Sequence, residues 1–260
     1  EKDNIFNFKT SIRINDNPLK IDFLNFKKNK ALIELEGSKN EKKEIYIKFF
    51  SINEKKDKIR INNLTLNKKF EIIKSGGFLL DYIDNANQKN QIKLYPMKKK
   101  YILNGSSFNA NNLINDLLFE DGNSNFFKID TKIDIDIEKL FLDKEYNLFN
   151  LKGDIDFKKK EVVKANLNGI FADNKKLKFT INTNENNKIT TLFIDKAKPI
   201  VRRYKFIKGF DEGSLDFYSS KKFGESISQL KIYDFKLKEL PVLTKILTLA
   251  SLQGIADILS

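Results

Sequence analysis

The chain contains no cysteine, no histidine and no tryptophan, and its 260 residues include only 4 prolines and 11 glycines. Without His or Cys there can be no Ser/His triad, no thiol nucleophile and none of the zinc or haem ligation those residues provide. Disulfides are impossible, so cysteine usage says nothing about redox compartment. Asp, Glu, Lys and Tyr could still carry acid–base chemistry, but the commonest catalytic side chains are missing. The expectation is a non-enzymatic protein with no cofactor and no metal site. Arginine is scarce as well. All but four of the 48 basic residues are lysine, the exceptions being Arg13, Arg60, Arg202 and Arg203. Nucleic-acid surfaces favour clustered Arg for its fork to phosphate and guanine. Here Lys is spread along the chain beside abundant Asn, Ile and Phe, as an A/T-rich coding bias would produce. The net charge of +13 therefore reads as a solvated surface, and no nucleic-acid partner is expected.

What the chain has in quantity is alternation. Phe127, Ile129, Ile133, Ile135 and Ile137 share one parity, and Lys128, Asp130, Lys132, Asp134 and Asp136 share the other. Period 2 is the signature of strands with one wet face. The pattern recurs at Leu151, Ile155 and Phe157; at Val163, Ala165, Leu167 and Phe171; at Leu177, Phe179 and Ile181; and at Leu215 and Phe217. The first half repeats it, for example at Ile45, Ile47 and Phe49 and at Ile92 and Leu94. Turn formers such as Asp16-Asn17-Pro18, Gly76-Gly77 and Asp173-Asn174 separate these runs. Many strands joined by short turns predict consecutive antiparallel pairing, since a parallel sheet needs a helix between strands.

Three stretches read as helical. Residues 109–119 carry Leu113, Ile114, Leu117 and Leu118 at helical spacing, and residues 196–204 form one or two turns with Pro199 in the first. From Pro241 the C-terminus is apolar nearly all round, which demands burial. It is not read as a membrane span, because Lys245, Gln253, Gly254 and Asp257 interrupt it.

The fold expected is mainly β: a long antiparallel sheet with a few short helices and a C-terminal apolar helix. Its apolar face has three possible fates: folding on itself, cover by helices, or lining a trough for apolar ligands. The candidate groove-lining residues are Ile129, Ile133, Ile135, Ile137, Ile155, Phe157, Leu167, Phe179, Ile181, Leu215 and Phe217. Leu243, Ile246, Leu247, Leu252 and Ile255 of the C-terminal helix would cap the groove. Other motifs carry no chemistry. Asp130, Asp134 and Asp136 share their face with Lys128 and Lys132, Gly76-Gly77 lacks the rest of a phosphate loop, and Ser106 and Ser107 have no nucleophile elbow.

The last third resembles a known family. Ile194-Asp195-Lys196-Ala197, a short helix, Gly209, and Gly213-Ser-Leu-Asp-Phe217 are similar to a stretch of the AsmA-like superfamily, in particular its large YhdP-type members. Ser228 to Leu237, Leu240-Pro241 and Leu249 to Leu259 resemble that family's closing strand and Pro-led helix. Upstream, Gly105 to Ala110, and Asp134-Ile-Asp136 with Leu140, fit the same architecture. Two departures are a glycine pair reduced to Glu212-Gly213 and a helix start reading Asp-Lys-Ala-Lys. The resemblance divides the chain into a β-rich groove segment (1–104) and a continuous AsmA-like C-terminal region (105–260). It implies that the antiparallel sheet is long and curled, a repeating β-groove, with anchorage in the bacterial inner membrane by an upstream helix and a periplasmic location. It also implies association with phospholipid delivery to the outer membrane, with acyl chains as the partner. The chain begins at Glu1 with no leader, and is read as a fragment whose anchor lies outside it. The rival reading is a structural β-protein of the envelope with a closed core.

Overall fold

A computed structural model describes residues 5–119, 130–158, 161–185, 187–203 and 209–238. The first half of the chain contributes β1 (Phe6–Ile14), β2 (Leu19–Ile21), β3 (Phe26–Lys28), β4 (Ala31–Lys39), β5 (Ile45–Glu54) and β6 (Asp57–Leu66). It continues through β7 (Ile72–Lys74), β8 (Phe78–Ile83), β9 (Lys89–Met97) and β10 (Lys100–Asn109). Helix α1 (Asn111–Phe119) leads to β11 (Thr131–Phe141), β12 (Asn147–Lys158), β13 (Glu161–Phe171), β14 (Lys176–Asn184) and β15 (Asn187–Ile194). The short α2 (Lys198–Val201) precedes β16 (Phe210–Lys222) and β17 (Glu225–Leu237).

Fifteen of these strands form one sheet in the order β1-β4-β5-β6-β8-β9-β10-β11-β12-β13-β14-β15-β16-β17, with β7 attached to β6; β2 and β3 pair only with each other. Within the described residues β1 and β17 remain separate edges, so no barrel closes. Strand β10 itself crosses the 104/105 boundary.

One expectation is corrected by the topology. The sheet is mixed, because β10 and β11 are parallel, and α1 lies in the connection between them as a parallel crossover requires. All other pairs are antiparallel, as short turns dictate. The second expected helix is present as α2, with Pro199 in its first turn. The apolar segment from Pro241, with the proposed capping residues Leu243, Ile246, Leu247, Leu252 and Ile255, lies outside the described residues, as does Ile129.

A second correction concerns phase. Ile45, Ile47 and Phe49 do not share one face. The pairing of β4 with β5 steps from Glu36↔Phe49 to Gly37↔Ile47, so Lys48 is an extra residue, a β-bulge that reverses the alternation beyond it. Phe50 and Ile52 therefore take the inner face with Ile61 and Ile59. Phe49 lies outside under the Arg60 guanidinium, 5.6 Å from its ring centroid. Asn63, with φ of 48°, kinks the facing strand. Similar irregularities occur in β10 after Gly105 and in β12 beside Asn150 (φ 51°).

The buried core sits where the short elements cover one end of the inner face. Leu24, Phe26, Ala110, Ala197 and Val201 pack with Ile52, Ile59, Leu80, Ile92, Ile137, Leu151, Ile194 and Leu215 of the strands. Polar latches hold that cover. The Tyr82 hydroxyl, fully buried, donates to the Leu24 carbonyl at 2.7 Å, and its ring meets Phe26 edge-on. Burial beside Asp84 pushes the Tyr82 phenol above its ordinary pKa, which keeps it a donor. The Arg203 guanidinium bonds the carbonyls of Pro199, Asn111 and Leu142 and the Asn115 amide, tying α2, α1 and the β11–β12 turn together. Arg202 pairs with Asp143 and Glu145 at 2.7 and 2.8 Å. Two of the four arginines are thus spent on internal carbonyls and carboxylates.

Candidate functional site: the apolar face of the sheet

Register turns the alternation into geometry, because residues paired across neighbouring strands project to the same side. Following the partners from one edge to the other gives a single row: Thr10, Leu35, Phe50, Ile61, Phe78, Leu94, Leu103, Ile135, Gly153, Leu167, Phe179, Leu192, Phe217 and Leu230. Only Thr10 and Gly153 interrupt the apolar sequence. At ~4.8 Å between strands the row runs for about 60 Å. Leu94 and Phe217 are buried, whereas Leu35, Phe50, Ile61, Phe78, Leu103, Ile135, Leu167, Phe179, Leu192 and Leu230 are only partly so. Gly153 holds its place because a Cβ there would meet the Asn166 carbonyl oxygen at 1.8 Å, with φ at 148°.

The expected groove residues fall on this face. Ile135, Leu167, Phe179 and Phe217 are rungs of the long row. Ile137 and Leu215 lie one row deeper, toward the covered end, paired with Leu151 and Ile194 respectively. Ile133, Ile155 and Ile181 form the next row on the other side, joined through Ala165, and Phe157 follows Ile155 by two residues on β12. Ile133, Ile137, Ile181, Leu215 and Phe217 are 5% exposed or less; Ile155 and Phe157 are partly buried.

On β10 to β12 the opposite face is ionic. Lys132 reaches Asp154 at 3.3 Å, Lys152 reaches Asp136 at 3.4 Å, and Lys100 pairs with Asp134. Each carboxylate of Asp134 and Asp136 thus faces a lysine, as the shared parity suggested. Such exposed pairs contribute little stability, and they make this face wet. Among the described residues no group of three acidic side chains could hold a metal ion, and no helix is long and apolar enough to cross a membrane.

A polar recess of about 380 Å³ lies at the covered end, lined by Tyr146, Asp173, Lys196, Lys198, Asp211 and Asp234 among others. Several of its charges engage one another. Asp211 receives Lys198 at 2.7 Å and Lys238 at 2.8 Å, and these two hydrogen bonds hold its carboxyl well below the usual range. Lys196 bonds Asp173 at 2.9 Å and lies over the Tyr146 ring. These pairs fasten the turns around the recess.

One set of inner-face residues escaped the sequence reading. Toward β17 the row of Ile133, Ile155, Ala165 and Ile181 continues as Thr190, Ser219 and Ser228. Two residues further along the strands come Thr183, Lys188, Lys221 and Ser226. Strand β15 has apolar residues on both parities, Ile189 and Phe193 against Leu192 and Ile194. Its phase is visible only through its neighbours' register.

These features define a mainly β protein built on one extended, two-faced sheet. Compared with protein-family models, curated proteins and solved structures, the chain matches none. The likeness to the AsmA-like superfamily therefore rests on the sequence segments quoted above.

Proposed function

We propose that this chain is a non-enzymatic lipid-handling segment whose sheet curls into a β-groove that shields phospholipid acyl chains. The observation that carries the reading is the row from Leu35 to Leu230, apolar but for Gly153 and mostly partly buried, backed on β10 to β12 by an ionic outer face. Moving one acyl CH₂ out of water gains about 0.8 kcal/mol. A hydrocarbon tail in contact with successive apolar rungs passes between positions of similar energy without re-entering water, so the movement needs no chemistry from the protein. The resemblance to the AsmA-like superfamily adds the setting: an inner-membrane-anchored periplasmic protein carrying phospholipid toward the outer membrane.

The test is extraction of the natively purified protein followed by mass spectrometry of bound lipid, with transfer of a fluorescent phospholipid between vesicles alongside. Stoichiometric phospholipid and protein-dependent transfer support the reading; no lipid and no transfer refute it. A second reading, an envelope scaffold with a dry core, is favoured by the near-complete burial of Ile133, Ile181 and Phe217. It predicts the negative result in both assays.

A further inference from the structure

On β14 to β17 the inner face changes character along the strands. Leu192 and Phe217 belong to the apolar row. Two residues on, Thr190 and Ser219 are each 1% exposed, and Ser219 Oγ lies 3.2 Å from Ser226 Oγ and accepts from Ser228 Oγ at 3.0 Å. Two residues further, Lys188 and Lys221 are direct cross-strand partners. Like charges at directly opposed positions repel, and here the pair stands on the face that elsewhere buries Ile and Leu. Thr183 Oγ1, on the residue paired with Lys188, is shielded from solvent and has no hydrogen-bond partner among the described residues. Register thus sets two lysines beside a group of hydroxyl residues on one face, and a bound anion would accept from ammonium and hydroxyl donors alike.

We propose that Lys188 and Lys221, with Thr183, Ser219, Ser226 and Ser228, bind the phosphate of a phospholipid whose tails lie on the apolar row. The placement of the tails rests on the lipid-handling reading above. Along β15, Leu192 lies four residues from Lys188, ~13 Å of strand at ~3.3 Å each, with the hydroxyl row of Thr190 and Ser219 between them. Desolvation pulls the Lys188 ammonium below its ordinary pKa; Glu161 opposes that shift and Lys221 adds to it. An anion between the lysines would add to the counter-charge that Glu161 supplies.

The experiment measures binding of three probes to the full chain by calorimetry: a short-chain phosphatidic acid, the diacylglycerol with identical tails, and inorganic phosphate. Variants are K188Q/K221Q, its charge-keeping counterpart K188R/K221R, and K178Q/K222Q on the outer face. The proposal expects the wild type to prefer phosphatidic acid at least tenfold. K188Q/K221Q should abolish that preference while leaving diacylglycerol binding unchanged; K188R/K221R and K178Q/K222Q should keep it. A preference that survives K188Q/K221Q overturns the proposal, as does equal loss in K178Q/K222Q. Inorganic phosphate bound through the same lysines, with neither lipid bound, identifies a free-anion site and overturns the placement of a lipid there. Diacylglycerol bound without any phosphate preference overturns the headgroup site alone and leaves the lipid-handling reading standing.

Discussion

Replacing Phe179 with Asp places a carboxylate in the middle of the apolar row, between Leu167 and Leu192 on the flanking strands. A hydrocarbon tail crossing β14 must then pass a charge. Insertion into hydrocarbon costs Asp about 2.5–3.5 kcal/mol. At ~1.36 kcal/mol per decade of rate, passage slows by roughly 70- to 400-fold. Asn182→Asp adds the same charge on the same strand, but at an exposed outer position, and should leave the rate unchanged. The assay is transfer of a fluorescent phospholipid from donor to acceptor vesicles, run with both variants after circular dichroism and thermal melts show that each is folded. Phe179→Asn separates the effect of charge from that of lost packing and should slow transfer less than Asp does. Equal transfer by folded Phe179→Asp and Asn182→Asp would refute the reasoning, because the inner face would then be irrelevant to movement.

Tyr82→Phe removes a buried hydrogen bond and leaves the Leu24 carbonyl without its donor, so urea unfolding should show a loss of about 1–3 kcal/mol; no change would mean that this latch does not hold the cover. Gly153→Ala forces a Cβ onto the Asn166 carbonyl at a φ of 148°, and the midpoint should fall by at least ~2 kcal/mol equivalent, against under ~0.5 for the exposed Lys132→Ala. The Asp211 carboxyl is held below its unfolded value, so its stabilising contribution is complete above the unfolded carboxylate pKa of about 3.9 and declines as pH falls below it. Asp211→Asn should therefore flatten the acid limb of the stability–pH profile, and an unchanged limb would contradict the pairing with Lys198 and Lys238.

The sheet and its two faces were legible wherever one strand kept strict alternation, as β11 does from Ile133 to Ile137. Legibility failed where the phase slips. The Lys48 bulge exchanged Phe49 for Phe50, because one extra residue inverts every side chain beyond it and leaves no mark in composition. The parallel pairing of β10 with β11 was not legible, because the helical spacing of residues 109–119 does not say that the strands flanking it lie side by side. The lysines of the inner face were hidden by a sound prior, since a Lys in an alternating strand normally faces water. Only the pairing of Lys188 with Thr183 and Lys221 places it with Thr190 and Leu192. Arg202 and Arg203 were read merely as too few for nucleic acid, and their role in tying three distant segments depends on contacts that sequence spacing cannot express.

Because the chain has no tryptophan, one introduced indole reports its surroundings without background. Phe179→Trp reports the inner face, and Phe193→Trp, at an exposed outer position, reports the other. With phospholipid brominated along its acyl chains, the account predicts strong quenching at position 179 and little at 193. Equal quenching at the two positions, or none at 179 while lipid is bound, would contradict the claim that hydrocarbon lies against the apolar row.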